Sequence, residues 1–234
     1  MKIVGLQKLT LLDYPGQVAC TVFLGGCNFR CPFCHNGQLL EDAPAIMEPE
    51  ELLAFLKGRK GVLDGVCVTG GEPTLNAELP ELLRQIREKG YLIKLDTNGY
   101  RPDVLKALAG EGLLDYVAMD VKNSPGRYGE TVGVPGICLD RIEESIRFLL
   151  SGAVDYELRT TVAEPLHDEN SIQDMASWLL KLGAGHKIKR LYIQPFVDRD
   201  TVLVGGLAAP DDEKLGKFGE ILKQCAEKVE LRGK

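Results

Sequence analysis

No apolar run in the 234 residues approaches the roughly 20 needed to span a bilayer. The opening Met1-Lys2-Ile3-Val4-Gly5 lacks the charged segment, apolar stretch and small-residue cleavage site of a secretory leader. Both absences predict a cytoplasmic protein. Basic charge is in deficit as well: 28 Lys and Arg face 34 Asp and Glu, a formal net charge of −6. That balance argues against a general nucleic-acid or membrane-surface binder, since it would not be attracted to a polyanion. No low-complexity tract, Ser/Gly linker or short-period repeat marks an internal boundary. What is present is 44% hydrophobic, enough for a full core, and the expectation is one domain over residues 1–234.

Seven cysteines are present without an obvious pairing. Three crowd into Cys27-Asn28-Phe29-Arg30-Cys31-Pro32-Phe33-Cys34, a spacing that arises by chance in roughly 0.6% of chains with this cysteine content. In a reducing compartment, clustered thiols are more often metal ligands than disulfides. A structural zinc closes with four protein ligands, and His35, directly after Cys34, would strain to reach the same ion. Three thiolates with one position open suit a cubane iron-sulfur cluster better than zinc, which stands as the alternative. Cys20 and Cys67 lie in apolar runs and are expected in the core as small hydrophobes. Cys138 and Cys225 stand apart from any other cysteine.

Short β-branched or apolar runs alternate with segments of helical periodicity, the pattern of a parallel α/β sheet. Strands are expected at Val18 to Leu24, Gly65 to Thr69, Tyr91 to Asp96, Tyr116 to Asp120, Tyr156 to Val162 and Ile188 to Gln194. Helices are expected at Glu48 to Lys57, Glu78 to Lys89, Pro102 to Ala109, Leu139 to Leu150, Asn170 to Leu182 and about Asp211 to Lys228. Pro49 and Pro102 suit a first helical turn, and Asp211 and Asp212 follow Pro210 where the helix dipole favours acids. The long irregular stretches are Gly25 to Met47, which holds the cysteines, and Asp198 to Ala209. Loops of that length are usually functional or mobile.

In parallel α/β folds, ligands gather at the carboxyl ends of strands, and the polar motifs fall there. Gly70-Gly71-Glu72-Pro73 permits close backbone approach and offers an acid to an ammonium group, although an ordinary strand-to-helix turn reads the same way. Asp96-Thr97-Asn98-Gly99 ends a strand, and its Asn-Gly alone would mean only a turn. Asp120 and Lys122 share a face by alternation and could form nothing more than a local ion pair. Arg159 lies within a strand with Glu157 two residues earlier, a placement that needs either a polar cavity or a salt bridge. Gln194, Pro195 and Phe196 finish the last expected strand.

The order Cys27/Cys31/Cys34, Gly70-Gly71-Glu72-Pro73, Asp96-Thr97-Asn98-Gly99, Asp120-Val121-Lys122 and Arg159 resembles that of the radical S-adenosylmethionine (SAM) enzymes over nearly the whole chain. The implied fold is α/β: a single-domain partial (βα)6 radical-SAM barrel, its parallel sheet open on one side, with a cluster-binding loop at residues 25–37. Cys34-His35-Asn36 and the upstream Asp13-Tyr14-Pro15-Gly16 look like the glycyl-radical-enzyme activases, nearest the anaerobic ribonucleoside-triphosphate reductase activating proteins. The 7-carboxy-7-deazaguanine synthases, a small-molecule branch, tend to carry Trp and Asp around the last cysteine, where this chain has Phe33 and His35.

The resemblance implies that Cys27, Cys31 and Cys34 hold a 4Fe-4S cluster whose fourth iron takes S-adenosyl-L-methionine, which is reductively cleaved to a 5′-deoxyadenosyl radical. Gly70, Gly71 and Glu72 would meet the methionine amino group. Lys122, Arg159 or a monovalent cation near Asp96 and Asp120 would balance its carboxylate, and Asn98 belongs to the same rim. Phe33 would pack near the adenine, His35 and Asn36 would surround the cluster, and Asp13 would help receive a partner's loop unless it is only an acid beside a Pro-Gly turn. The implied partners are a glycyl-radical protein and an electron donor such as flavodoxin or ferredoxin. The alternatives are radical chemistry on a small molecule, or a non-catalytic metal or redox-sensing module. In the pyruvate formate-lyase activase a histidine follows the last Pro-aromatic pair, whereas Val197 follows Pro195-Phe196 here.

Overall fold

The computed structural model describes residues 1–40 and 43–233. Glu41 and Asp42, within the expected irregular stretch, and Lys234, at the end of the expected domain, lie outside the described residues. The chain forms two compact units, one of Met1–Asn28 with Gln38–Ala118 and one of Phe29–Gly37 with Met119–Lys234.

In the first unit, β1 (Ile3–Thr10) runs antiparallel to β2 (Ala19–Leu24), while β2, β3 (Gly65–Gly70) and β4 (Leu92–Thr97) run parallel. Val22, Val66, Val68, Ile93 and Leu95 are fully buried in these strands, as expected where helices cover a parallel sheet. The helices are α1 (Pro49–Lys57), α2 (Leu79–Glu88) and α3 (Pro102–Gly110). Glu48 and Glu51 close a capping box on α1, and Pro49 sits where its missing N–H costs nothing. Leu79, Leu82, Leu83 and Ile86 recur at helical spacing and form the buried face of α2.

The chain crosses into the second unit within β5 (Tyr116–Asp120). There follow α4 (Tyr128–Val132), α5 (Leu139–Leu150), β6 (Asp155–Val162), α6 (Glu169–Leu182), β7 (Ile188–Pro195), α7 (Asp212–Leu222) and β8 (Ala226–Leu231). Strands β6, β7 and β8 are parallel. Asp168 caps α6 through Ser171, and Asp211 caps α7 through the Lys214 N–H. Within each unit the strands pair in chain order, β1 to β4 in the first and β6 to β8 in the second. No described helix is long and apolar enough to cross a membrane.

The six expected strands and the first five expected helices appear within one residue of their expected bounds. The sixth helix is a correction: α7 ends at Leu222 rather than near Lys228, and Ala226–Leu231 forms β8. Its Glu-Lys-Val-Glu run reads as the tail of a helix, yet charged residues are what a sheet edge carries. Strand β1 was also unforeseen. Gln7, Lys8 and Leu9 are exposed in it, and its pairing with β2 is interrupted by irregular register, so no clean alternation marks it.

Candidate functional site

In the first unit, the carboxyl ends of β2 and β3 are bound through their backbones. Gly71 N–H donates to Leu24 O at 2.9 Å and Glu72 N–H to Gly26 O at 2.8 Å. A Cβ at Gly71 would lie 2.1 Å from Gly26 O, and one at Gly70, where φ is +128°, would lie 2.2 Å from Leu24 O. Only glycine allows this approach. Cys27 follows directly on this paired backbone.

Glu72 is 1% exposed. Its Oε1 accepts from Thr74 N–H at 3.1 Å, from the Thr74 hydroxyl and from Thr97 Oγ1 at 2.8 Å, while Oε2 accepts from Asn98 N–H at 2.6 Å. A carboxylate oxygen has about two acceptor sites, so Oε1 is filled by its donors while Oε2 holds one. Burial pushes the Glu72 carboxyl above its usual range, partly offset by the same hydrogen bonds. Glu72 therefore ties the loop after β3 to the end of β4. Asn98, placed by that tie, donates from Nδ2 to Asn28 Oδ1 at 2.9 Å and lies 3.9 Å from Cys27 Sγ.

Lys94 is a site residue that the sequence reading did not single out. It is 1% exposed and stands in register with Cys67 on β3, itself in register with Thr21 on β2. Its ammonium pairs with Asp96 and lies 3.7 Å from Cys67 Sγ, which also lies 3.7 Å from Asp96 Oδ1. Cys67 is buried as expected, but in polar company rather than purely as a hydrophobe. Cys20 is the core thiol foreseen, pushed by burial up to about 12. On β2, in register with Cys67, Thr21 donates from Oγ1 to Asp13 at 2.5 Å.

The second unit gathers charge instead. Asp120 accepts from Lys122 Nζ at 2.9 Å and from Arg159 Nε at 3.1 Å. Burial alone would raise its carboxyl, but the two cations outweigh it and hold the group at about 2. Burial would likewise lower the Lys122 ammonium, yet Asp120 and then Cys31 reverse this and raise it. Glu157, fully buried, is held by both Arg232 nitrogens at 2.5 and 2.9 Å. The two strand charges thus take separate partners.

Phe33 is buried with Lys122 Nζ 5.8 Å from its ring centre and the His167 ring at 6.2 Å. His167 Nδ1 accepts from Ala163 N–H at 3.1 Å, so the proton belongs on Nε2, which donates to Lys122 O at 2.8 Å. Burial lowers the His167 pKa and keeps the ring neutral. Cys34 N–H donates to Cys31 O at 3.0 Å. His35 stacks on Phe196 with ring centres 5.8 Å apart, its Nε2 lies 2.7 Å from Val197 O, and Thr201 Oγ1 donates to His35 O at 2.8 Å. Asn36 is half-buried in the turn that follows.

The radical SAM superfamily model matches residues 21–179, a stretch that contains the cysteine loop, both glycines, Glu72, Asp96, Asp120 and Arg159. The chain belongs to the radical SAM superfamily. A Methanocaldococcus jannaschii protein provisionally named a glycyl-radical enzyme activating enzyme is 33% identical over 97% of this chain and 94% of its own length. A Thermococcus kodakarensis protein provisionally named a GTP 3′,8-cyclase is also 33% identical, over 67% of this chain and 51% of its own length, so the chain spans about half of that relative. Among solved structures, a domain of pyruvate-formate lyase-activating enzyme from Bacteroides vulgatus superposes with a TM-score of 0.56 at 21% identity, covering 72% of this chain and 99% of that one. The last likeness is one of fold.

This radical SAM enzyme belongs to a superfamily that implies a 4Fe-4S cluster and SAM. Among the described residues, no three His, Cys, Asp or Glu side chains are gathered as a single-ion site. The residues nevertheless suit the implied groups in kind. Cys27, Cys31 and Cys34 form no disulfide, and thiols are soft ligands of the type iron-sulfur clusters use. Tyr128 keeps a buried hydroxyl with no protein partner among the described residues. Lys94 was visible in the sequence as a charge inside Leu-Ile-Lys-Leu, whereas Tyr128 and His167 gave no local signal.

Proposed function

We propose that this chain is a glycyl-radical-enzyme activase whose Cys27, Cys31 and Cys34 hold the 4Fe-4S cluster, leaving the fourth iron to SAM. The near full-length likeness to a relative named for that activity carries the reading. When bound, the cluster and SAM supply reductive cleavage to a 5′-deoxyadenosyl radical, which takes a hydrogen atom from a glycine Cα of the partner.

The chain's own residues position and balance these groups. Gly70 and Gly71 present backbone carbonyls to the methionine ammonium, and Glu72, tied to Thr74, Thr97 and Asn98, holds the loop that carries them. Lys122 and Arg159, drawn together by Asp120, balance the SAM carboxylate. Asp96 already has the Lys94 ammonium, which competes with any monovalent cation there. Phe33 packs beside the adenine, with Lys122 and His167 limiting its ring. Asn98 orients Cys27, and His35 with Asn36 shapes the far side of the loop. Asp13 is held by Thr21, which favours a role in the β1–β2 turn over one in receiving a peptide. We further assign residues 1–234 to one radical SAM core domain, a cytoplasmic location, and an electron donor of flavodoxin or ferredoxin type.

A second reading, radical chemistry on a small molecule, is favoured by the cyclase relative. Anaerobic reconstitution, reduction and addition of SAM separate the two. A glycyl EPR signal on an added glycyl-radical protein, with 5′-deoxyadenosine formed, supports the activase. Deoxyadenosine that rises with GTP and leaves no glycyl signal supports the second reading, and no cleavage defeats both.

A further inference from the structure

Thr21, Cys67 and Lys94 occupy one register row across the parallel strands β2, β3 and β4. Side chains in such a row share a face of the sheet, whereas Cys20, paired with Val66 in the neighbouring row, lies on the other face. Cys67 and Lys94 are both buried, so strand pairing and packing hold the thiol and the amine against each other. Lys94 Nζ donates to Cys67 Sγ at 3.7 Å, and the Cys67 thiol donates to Asp96 Oδ1 at 3.7 Å. Asp96 Oδ1 is also the atom that pairs with the Lys94 ammonium. The three groups close a ring in which one carboxylate oxygen faces both of the groups that an oxidation would strip of hydrogen. A Lys94–Asp96 ion pair balances its two charges without sulfur; the thiol adds an oxidisable atom beside a nucleophilic nitrogen.

Burial also selects the oxidant. Cys67 forms no disulfide, and a fully buried thiol is closed to exchange with bulky thiols, while dioxygen is small and apolar enough to enter a packed core. We propose that Cys67 and Lys94 are an oxygen-dependent modification site that forms a covalent Sγ–O–Nζ bridge. Asp96 takes one proton from the ammonium. The S–H bond and one N–H bond then break, the S–O and O–N bonds form, and the second oxygen atom leaves as water with those two hydrogens. Dioxygen accepts four electrons, two from sulfur and two from nitrogen. Fixed proximity favours capture of the oxidised sulfur by the amine over further oxidation of the thiol. The bridge ties β3 to β4 and removes the counter-cation of Asp96, beside the Thr97-Asn98 segment that Glu72 holds. It needs neither the cluster nor SAM.

The full-length protein, reconstituted without air and then exposed to air-saturated buffer, is digested with trypsin without reductant and read by mass spectrometry. The expected product joins the peptides that carry Cys67 and Lys94, with one oxygen gained and two hydrogens lost, about 14 Da, and with no cleavage after Lys94. Isotopically heavy dioxygen should add one label to it, and a thiol reductant should return the two separate peptides. Cys67→Ser and Lys94→Arg should both lack the product, and the wild-type spectra decide the matter even where a variant fails to fold. Recovery of an unlinked Cys67 peptide after exposure overturns the proposal. So does a linked pair without the added oxygen, or one that forms equally in protein kept from air.

Discussion

Glu72 in the first unit and Asp120 in the second are both carboxylates at strand ends, but they are stabilised in opposite ways. Glu72 is surrounded by neutral N–H and O–H donors, and burial raises its pKa. Asp120 is met by two cations that overcome burial and hold it at about 2. The same division extends to the cysteine loop, where the amide of Asn98 approaches Cys27 and the charge of Lys122 acts on Cys31. Similar placement on a sheet therefore does not set an acid's ionisation; the charge of its donors does.

The largest effect expected tests whether both ends of the cysteine loop serve one group. Alanine at Cys27, Cys31 or Cys34 should each abolish iron uptake after reconstitution, while Cys225→Ala, at a buried thiol bonded to Leu222 O, should retain it. Iron loss confined to one half of the loop would break the assignment.

Next is Glu72→Gln, which places an amide NH2 among donors and leaves at least one unsatisfied, at about 1–3 kcal/mol. Chemical denaturation of the apoprotein would read that loss. SAM affinity of the reconstituted variant should fall while its iron content holds, and unchanged affinity would remove Glu72 from the site.

The acid limb separates the two carboxylates further. A depressed folded-state pKa contributes stability above the unfolded value and loses it as pH falls through the folded value. Asp120 should therefore account for stability lost between about pH 4 and its folded-state value of about 2. Asp120→Asn should flatten the apoprotein's stability profile in that window. Glu72 has the opposite sign: its raised pKa costs stability once pH exceeds the unfolded carboxyl value, so Glu72→Gln should leave the window below pH 4 unflattened. Thermal melts across pH test both, and equal profiles would erase the contrast. The smallest change, Thr97→Val, deletes one of the Glu72 donors and should cost about 1 kcal/mol; a loss as large as that of Glu72→Gln would mean the four bonds act as one unit.

Strand β5 and helix α5 were readable to the residue because apolar periodicity and flanking breaks coincide there. The cysteine spacing and the glycine pair were legible for a related reason, since each is a contiguous motif. Lys94 was visible only as a charge within a strand and His167 not at all, because their roles come from neighbours distant in sequence: Cys67 across the sheet for Lys94 and the Lys122 carbonyl for His167. Glu72 was legible as an acid in the right place, but that its oxygens face Thr74, Thr97 and Asn98 was not.

By itself the sequence determined the strand-helix alternation, the three-thiol loop and the family likeness, all of which depend on residue type and local spacing. The tertiary structure decided that Ala226–Leu231 is an edge strand rather than the end of a helix, which acid is tied by neutral donors and which by cations, and where a phenol is buried without a hydrogen-bond partner among the described residues. Pairing, burial and charge balance are sums over side chains far apart in the chain, and only folding brings those groups within reach of one another.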